Sequence, residues 1–207
     1  MSESSVSGYS PSSWNCTGGG SLTGDTVTLG LNEEVTCTIT NDDQTGRLVV
    51  VKVLINDDGG NATKDDFSYK VNGGSSVFFE ADGQNESSVN SDYYTIVEDP
   101  ETGYATTYDN CTEVFVPNGG SATCTITNND IPPTLKLVKS VITDNGGTAV
   151  ANDWTLYAAA DTPNNGRNFN NLGGSGNFQT VYANVPYVLT ESVVAGYSAS
   201  AWNCIGA

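Results

Sequence analysis

LVVVKVLINDDGGNATKDDF (residues 48–67) and LKLVKSVITDNGGTAVANDW (135–154) carry one pattern twice, an apolar run bearing a Lys and then an acidic, Gly-rich loop. Working outward, EEVTCTITNDD (33–43) is matched by GSATCTITNND (120–130) at the same offset. A third block, SESSVSGYSPSSWNC (2–16), returns as VEDPETGYATTYDNC (97–111) and TESVVAGYSASAWNC (190–204). Repetition on this scale marks tandem modules. One unit runs from a Lys strand through the acidic loop and a Glu-x-x-x-x-Gly-Tyr block to a Cys and Thr-Cys-Thr-Ile-Thr-Asn. Residues 46–130 hold all of it in order. Residues 1–43 read as the back part of a unit and 134–207 as the front part of another, with Pro132-Pro133 a stiff joint before the last.

The runs LVVVKVLI, DYYTIVE, ATCTITN and PYVLTE are short, rich in β-branched and aromatic residues, and bounded by Gly, Asn and Asp. No helical period of useful length is present. The expected fold is all-β: tandem Ig-like β-sandwich repeats of about 85–95 residues, one complete and two partial.

Strand parity places polar residues on the wrong face, because side chains i and i+2 point the same way. Lys52 shares a face with Leu48, Val50 and Leu54, and Lys139 shares one with Leu135, Leu137 and Val141. Glu98 follows Tyr94 and Ile96, and Glu191 follows Tyr187 and Leu189. Asn128 lines up with Cys124 and Ile126, and Asn41 with Cys37 and Ile39, leaving outward Thr rows such as Thr123, Thr125 and Thr127. Isolated buried charges cost several kcal/mol each, so these groups are expected to meet. In a dry core, desolvation favours a neutral amine and a neutral carboxyl. Such an amine is a nucleophile, and such a carboxyl can polarise an Asn amide and shuttle protons. The product is a Lys–Asn isopeptide bond between first and last strands. The plainer alternative is a snorkelling Lys, its Glu partner and a strand-end Asn.

With 24 acidic residues against 7 basic ones, the formal net charge is −17, and there is no His. That charge argues against nucleic acid and anionic membranes as partners. Lack of His excludes most zinc sites and the Ser-His and Cys-His nucleophile systems. No stretch reaches the roughly 18 apolar residues of a membrane span. MSESSVSGYS (1–10) has neither a basic nor an apolar signal region, so an export signal is expected outside these residues.

The order Lys strand, Tyr-x-[Ile/Leu]-x-Glu-x-x-x-x-Gly-Tyr, Ile-Thr-Asn resembles the Cna protein B-type, prealbumin-like (SpaA-like) repeats of bacterial surface and pilus proteins. The resemblance covers nearly the whole chain. It implies β-sandwiches in adhesin or pilus stalks, with Lys52 joined to Asn128 and Glu98 promoting the reaction. Lys139 and Glu191 would belong to a set whose Asn lies elsewhere, and Glu3 and Asn41 to a set lacking its Lys. The chain departs from the pattern by placing a Cys within the last strand, and it shows no sortase-type sorting motif.

Five cysteines are present. Pairing within a unit, Cys16 with Cys37 and Cys111 with Cys124, is the simplest framework and implies an oxidising, extracellular setting. Buried free thiols are the alternative. Cys204 aligns with Cys16 and Cys111, and its partner is expected outside the unit or the chain. The acidic loops offer Asp57, Asp58, Asp65 and Asp66, or Asp144, Asn145, Asn152 and Asp153, as oxygen ligands for Ca²⁺. The same composition is ordinary turn chemistry, and no other cofactor is expected. Asn15, Asn61, Asn85 and Asn110 lie in glycosylation sequons.

The function expected is structural: an extracellular stalk, fibre or filament whose partners are copies of itself or further repeats of one chain. One arrangement shares strands between subunits. The other is a window in a longer tandem chain, which avoids competition between the duplicate segments 1–18 and 189–207. The alternative class is an adhesin-type module that uses the long Asn/Gly-rich loop within 155–180 to bind a surface ligand. An enzyme is not expected, because the only reactive constellation is self-directed and no carboxylate pair for glycoside hydrolysis is identifiable.

Overall fold

The computed structural model describes residues 1–161 and 165–206, with strands as its regular structure and three single 3₁₀ turns. Strands β1 (Tyr9–Pro11), β2 (Asn15–Gly18), β3 (Ser21–Thr23), β4 (Thr26–Thr28), β5 (Val35–Thr38) and β6 (Asn41–Asp43) occupy the first segment. The central segment holds β7 (Gly46–Ile55), β8 (Ser68–Val71), β9 (Val77–Phe78), β10 (Gln84–Val89) and β11 (Asp92–Tyr94). It continues with β12 (Ile96–Glu98), β13 (Tyr104–Asp109), β14 (Val114–Val116) and β15 (Ser121–Asp130). The last segment holds β16 (Thr134–Leu135), β17 (Thr155–Ala160), β18 (Phe169–Leu172), β19 (Gln179–Thr180) and β20 (Tyr187–Glu191).

Packing divides the chain into two compact units. The first is Met1–Leu54, Thr63–Glu101 and Thr106–Asn128; the second is Ile55–Ala62, Thr102–Ala105 and Asn129–Ala207. In the first, a four-stranded sheet ordered β10-β7-β15-β13 faces a three-stranded sheet β12-β8-β9 and the pair β11-β14. Leu48, Val50 and Ile126 from one layer meet Tyr69, Ile96 and Val116 from the other, all at most 3% exposed. Phe67 and Phe79 seal the same core. β7 and β15 run in the same direction: Arg47 donates its N–H to Gly120 at their start, and Lys52 meets Asn128 further along. A disulfide ties Cys111, just after β13, to Cys124 on β15.

Parity along β15 is as alternation requires. Cys124, Ile126 and Asn128 are fully buried, while Thr123 is exposed and Thr125 and Thr127 half-buried. The run DYYTIVE is not one strand but two, because Thr95 breaks it and β11 pairs with β14 while β12 pairs with β8.

Residues 1–43 form two-stranded ribbons only: β1 with β6, β2 with β5, and β3 with β4. A disulfide joins Cys16 to Cys37 at directly opposed positions of β2 and β5. No residue of 1–43 is buried, as expected of ribbons without an opposing layer.

The second unit is built on β18-β17-β20 with the pair β16-β19. Its core is Leu137, Trp154, Leu156 and Ala158, flanked by Leu135, Val141, Phe169, Leu189 and Tyr197. Unlike β7, the Lys139 run is a strand only at Thr134–Leu135; residues 136–150 are not strand, and Val138 and Ile142 are exposed.

Ile126→Ala should cost about 2–5 kcal/mol, because the vacated core volume refills only in part. Thr123→Ala, on the opposite face, should stay within about 0.5 kcal/mol. Urea unfolding of the two variants measures the difference.

Candidate functional site

β7, β12 and β15 bring three polar side chains to one point between the layers. Lys52 is 1% exposed, Glu98 5% and Asn128 0%. The Lys52 Nζ donates to Asn128 Oδ1 at 2.6 Å and also to Glu98 Oε2. Asn128 Nδ2 donates to Glu98 Oε1 at 2.7 Å. Thr106 on β13 completes the network: its hydroxyl donates to Glu98 Oε1 at 3.1 Å and accepts from Asn128 Nδ2 at 3.1 Å. Two aromatic rings close the space around the amine, whose Nζ lies 3.6 Å from the Phe67 centroid and 5.3 Å from that of Phe79.

Burial pushes the Lys52 amine below its ordinary pKa, while its hydrogen bond to Glu98 and the charge of that carboxylate pull the other way. Desolvation wins because the ammonium loses its water on every side. Asp99 shows the wet counterpart: Lys70, Ser76 and Ser68 hydrogen-bond its carboxyl and hold it down at about 2. Glu98 thus contacts both the nitrogen that would attack an amide and the nitrogen that would leave. That is the geometry a proton shuttle needs.

The other predicted sets are incomplete. Lys139 Nζ donates to Glu191 Oε2 at 2.7 Å and Oε1 at 3.0 Å, with side chains 15% and 18% exposed. Trp154 stands 4.8 Å from this amine, in the role Phe67 plays beside Lys52. Asn41 donates to Glu3 at 3.2 Å on the surface. A cleft of ≈ 770 Å³ runs beside Lys139 and Ile142 and is lined by Trp154 and Tyr197. A smaller one of ≈ 450 Å³ lies beside Leu135 and Leu137, against Phe178 and Trp202.

The acidic loops are engaged in turn chemistry. Asp66 accepts from the Thr63 N–H and hydroxyl, and Asp153 from the Val150 N–H. Asp65 and Asp144 are exposed. Asp57, Asp58 and Asp130 converge within 4.8 Å, the one such carboxylate group among the described residues. Asp130, which the sequence reading did not single out, accepts from the backbone N–H groups of Asp57, Asp58 and Gly60. Asp58 is paired with Arg167. The donors already present at Asp130 and Asp58 are those a cation would have to displace.

Among the sequons, Asn15, Asn61 and Asn110 are exposed. Asn85 differs: it is 9% exposed, accepts from the Glu80 N–H and donates to the Phe78 carbonyl. Cys204 is exposed and unpaired. Of the 155–180 segment, 162–164 lie outside the described residues; the rest includes β17 and β18.

Sequence reasoning missed Thr106, because the repeats carry no Thr there: Gly103-Tyr104-Ala105-Thr106 faces Gly196-Tyr197-Ser198-Ala199. Phe67 and Trp154 were findable, since an aromatic residue ends both copies of the opening pattern.

Residues 1–39, 43–126 and 130–207 each match the family described as a prealbumin-like fold domain, of SpaA type. The chain belongs to that family. SpaA-type prealbumin-like domains are structural parts of cell-surface proteins. Among solved structures, the Bacillus anthracis TIE protein is similar over 80% of this chain and 35% of its own, at 18% identity and a TM-score of 0.46. This prealbumin-like chain therefore spans about a third of that protein's length. No curated protein matches it. No helix among the described residues is long and apolar enough to cross a membrane.

Asp130→Ala should leave the three loop amides without their acceptor, at a cost of about 1–3 kcal/mol. Faster hydrogen exchange at Asp57, Asp58 and Gly60, with a lower urea midpoint, is the expected readout. Asp130→Asn, which keeps one acceptor oxygen, should fall between.

Proposed function

We propose that this chain is an extracellular structural repeat protein of a stalk, fibre or filament, stiffened by a Lys52–Asn128 isopeptide bond and by its disulfides. The observation that carries this reading is the closed Lys52–Glu98–Asn128 network, buried between two sheets with every member touching the other two. An ion pair buried merely for stability is a weak solution, because desolvation offsets most of its attraction. A network that also aligns a nucleophile, an amide and a carboxyl has a chemical use.

The step balances without cofactor or oxidant. The neutral Lys52 amine attacks Asn128 Cγ, and a C–N bond forms. Glu98 takes up the amine's proton at Oε2 and delivers a proton from Oε1 to Nδ2. The Cγ–Nδ2 bond then breaks and ammonia leaves. Phe67 and Phe79 exclude water that would hydrate the amine. Thr106 orients the carboxyl and the leaving nitrogen.

The bond would clamp β7 to β15 near their ends. Pulling the chain would then load a covalent link rather than shear a hydrogen-bonded ladder. Disulfides Cys16–Cys37 and Cys111–Cys124 would protect the neighbouring hairpins in the same way, and they suit an oxidising compartment. The −17 charge keeps such a surface solvated.

Intact-mass measurement of the reduced chain tests the reading: the bond removes roughly 17 Da as ammonia. Glu98→Ala should retain the full mass and unfold at a lower temperature, since it also leaves Lys52 buried without its partner. A reduced wild-type mass showing no ammonia loss would sink the assignment.

A further inference from the structure

β12 is the outer strand of its sheet, in the order β12-β8-β9, and β13 is the outer strand of the facing sheet, β10-β7-β15-β13. Along β12, Val97 stands opposite Lys70 on β8, and the N–H groups of Thr95 and Asp99 on either side bond to Asn72 and Ser68. Alternation therefore turns the N–H groups of Ile96 and Glu98 away from β8, toward the open side. Both find acceptors within residues 106–111. Ile96 donates to the Cys111 carbonyl at 2.8 Å, and the Glu98 N–H donates to the Tyr108 hydroxyl oxygen at 3.2 Å. Thr106, on the same strand as Tyr108, donates its hydroxyl to the Glu98 carboxyl at 3.1 Å. One short segment of the opposite layer thus holds Glu98 by its backbone and by its side chain.

That segment is tied in turn to the strand that bears Asn128. Cys111 and Cys124 are 3% and 0% exposed and are joined by a disulfide. Cys124, Ile126 and Asn128 are successive residues on the buried face of β15. Cys111 lies just past the end of β13 (Tyr104–Asp109), where an outer strand opens most readily. Asn110 adds a hydrogen bond to the Thr123 carbonyl, but that contact is exposed. The covalent tie is what keeps the Cys111 carbonyl against Ile96 and the two layers in step. The hydroxyls are not demanded by the repeat, since the positions of Thr106 and Tyr108 are Ala199 and Ala201 in the last segment.

We propose that residues 106–111 are a brace that positions Glu98, and that the Cys111–Cys124 disulfide closes it, so that the Lys52–Asn128 bond forms after this cysteine pair is oxidised. The inference rests on the isopeptide reading above and adds an order of events to it. In the first step the two thiols give up two protons and two electrons to a small-molecule disulfide, which leaves as two thiols while the Sγ–Sγ bond forms. In the second the Lys52 amine displaces ammonia from Asn128. Glu98 has to reach Lys52 Nζ and Asn128 Nδ2 at once, and misplacing a reacting group by about 1 Å costs roughly a hundredfold in rate. Thr106 and Tyr108 are positioning residues, acting through Glu98. Stiffening is thereby deferred until the chain has reached an oxidising setting.

The test follows ammonia loss by intact mass while the full chain, prepared unfolded, reduced and unlinked, refolds. Cys16→Ser, Cys37→Ser and Cys204→Ser leave Cys111 and Cys124 as its cysteines. With oxidised glutathione the disulfide should appear first and the loss of roughly 17 Da should follow. In a dithiol reductant the loss should be roughly 10–100-fold slower, and oxidised glutathione added later should restore the fast rate. Two substitutions in the oxidised chain read the brace whatever reduction does to folding. Tyr108→Phe keeps the ring, which is 47% exposed, and removes the acceptor; Thr106→Val keeps the shape and removes the hydroxyl. Each should slow ammonia loss roughly tenfold, and Thr106→Ser should return the wild-type rate. Equal rates with and without the disulfide, or a wild-type rate in Tyr108→Phe or Thr106→Val, would overturn the inference while leaving the Lys52–Asn128 bond standing. Oxidised chains that never lose ammonia would overturn both.

Discussion

Everything in the central segment turns on how one amine is buried. Lys52 sits on the inward face of a strand whose neighbours at that parity are Leu48 and Val50, and water is excluded by Phe67 and Phe79. An ammonium there without a partner would cost several kcal/mol. The fold meets that demand by bringing Glu98 from the opposite layer and Asn128 from the adjacent strand, with Thr106 filling the remaining hydrogen bond. The register of β7 against β15, and the distance between the layers, must both satisfy this contact. A slip of one residue would turn Asn128 outward and a Thr inward.

The same constraint explains why identical sequence behaves differently along the chain. Thr-Cys-Thr-Ile-Thr-Asn is buried at 123–128 and largely exposed at 36–41. Its alternation prepares one face for burial, but a face is buried only where a second layer exists to cover it. Residues 1–43 have ribbons and a disulfide, which hold a hairpin together without making a core. The 136–150 run shows the effect from the other side: pattern alone does not make a strand when the neighbouring edge is open.

Much of the site was legible because each member occurs at a fixed parity in a repeated pattern. Lys52 and Lys139, Glu98 and Glu191, and Asn128 and Asn41 stand out as polar residues on apolar faces, twice each. Thr106 was invisible, since its position is Ala199 in the third segment and Pro11 in the first. Asp130 was hidden differently. Acidic residues crowd every loop, and nothing in composition tells which carboxylate gathers backbone amides and which faces solvent. Asn85 reads as an open sequon by its neighbours alone, yet its amide is spent on the Glu80 and Phe78 backbone.

Sequence by itself determined the β class, the repeated order of elements and the alternation that sets Lys52, Glu98 and Asn128 among apolar residues of one face. All of these follow from local periodicity and spacing, which a chain carries wherever it is. Only the tertiary structure decided that the one complete set, Lys52, Glu98 and Asn128, closes into a network. Closure requires side chains from two layers to converge within hydrogen-bonding distance, and the Lys52 set has both layers around it.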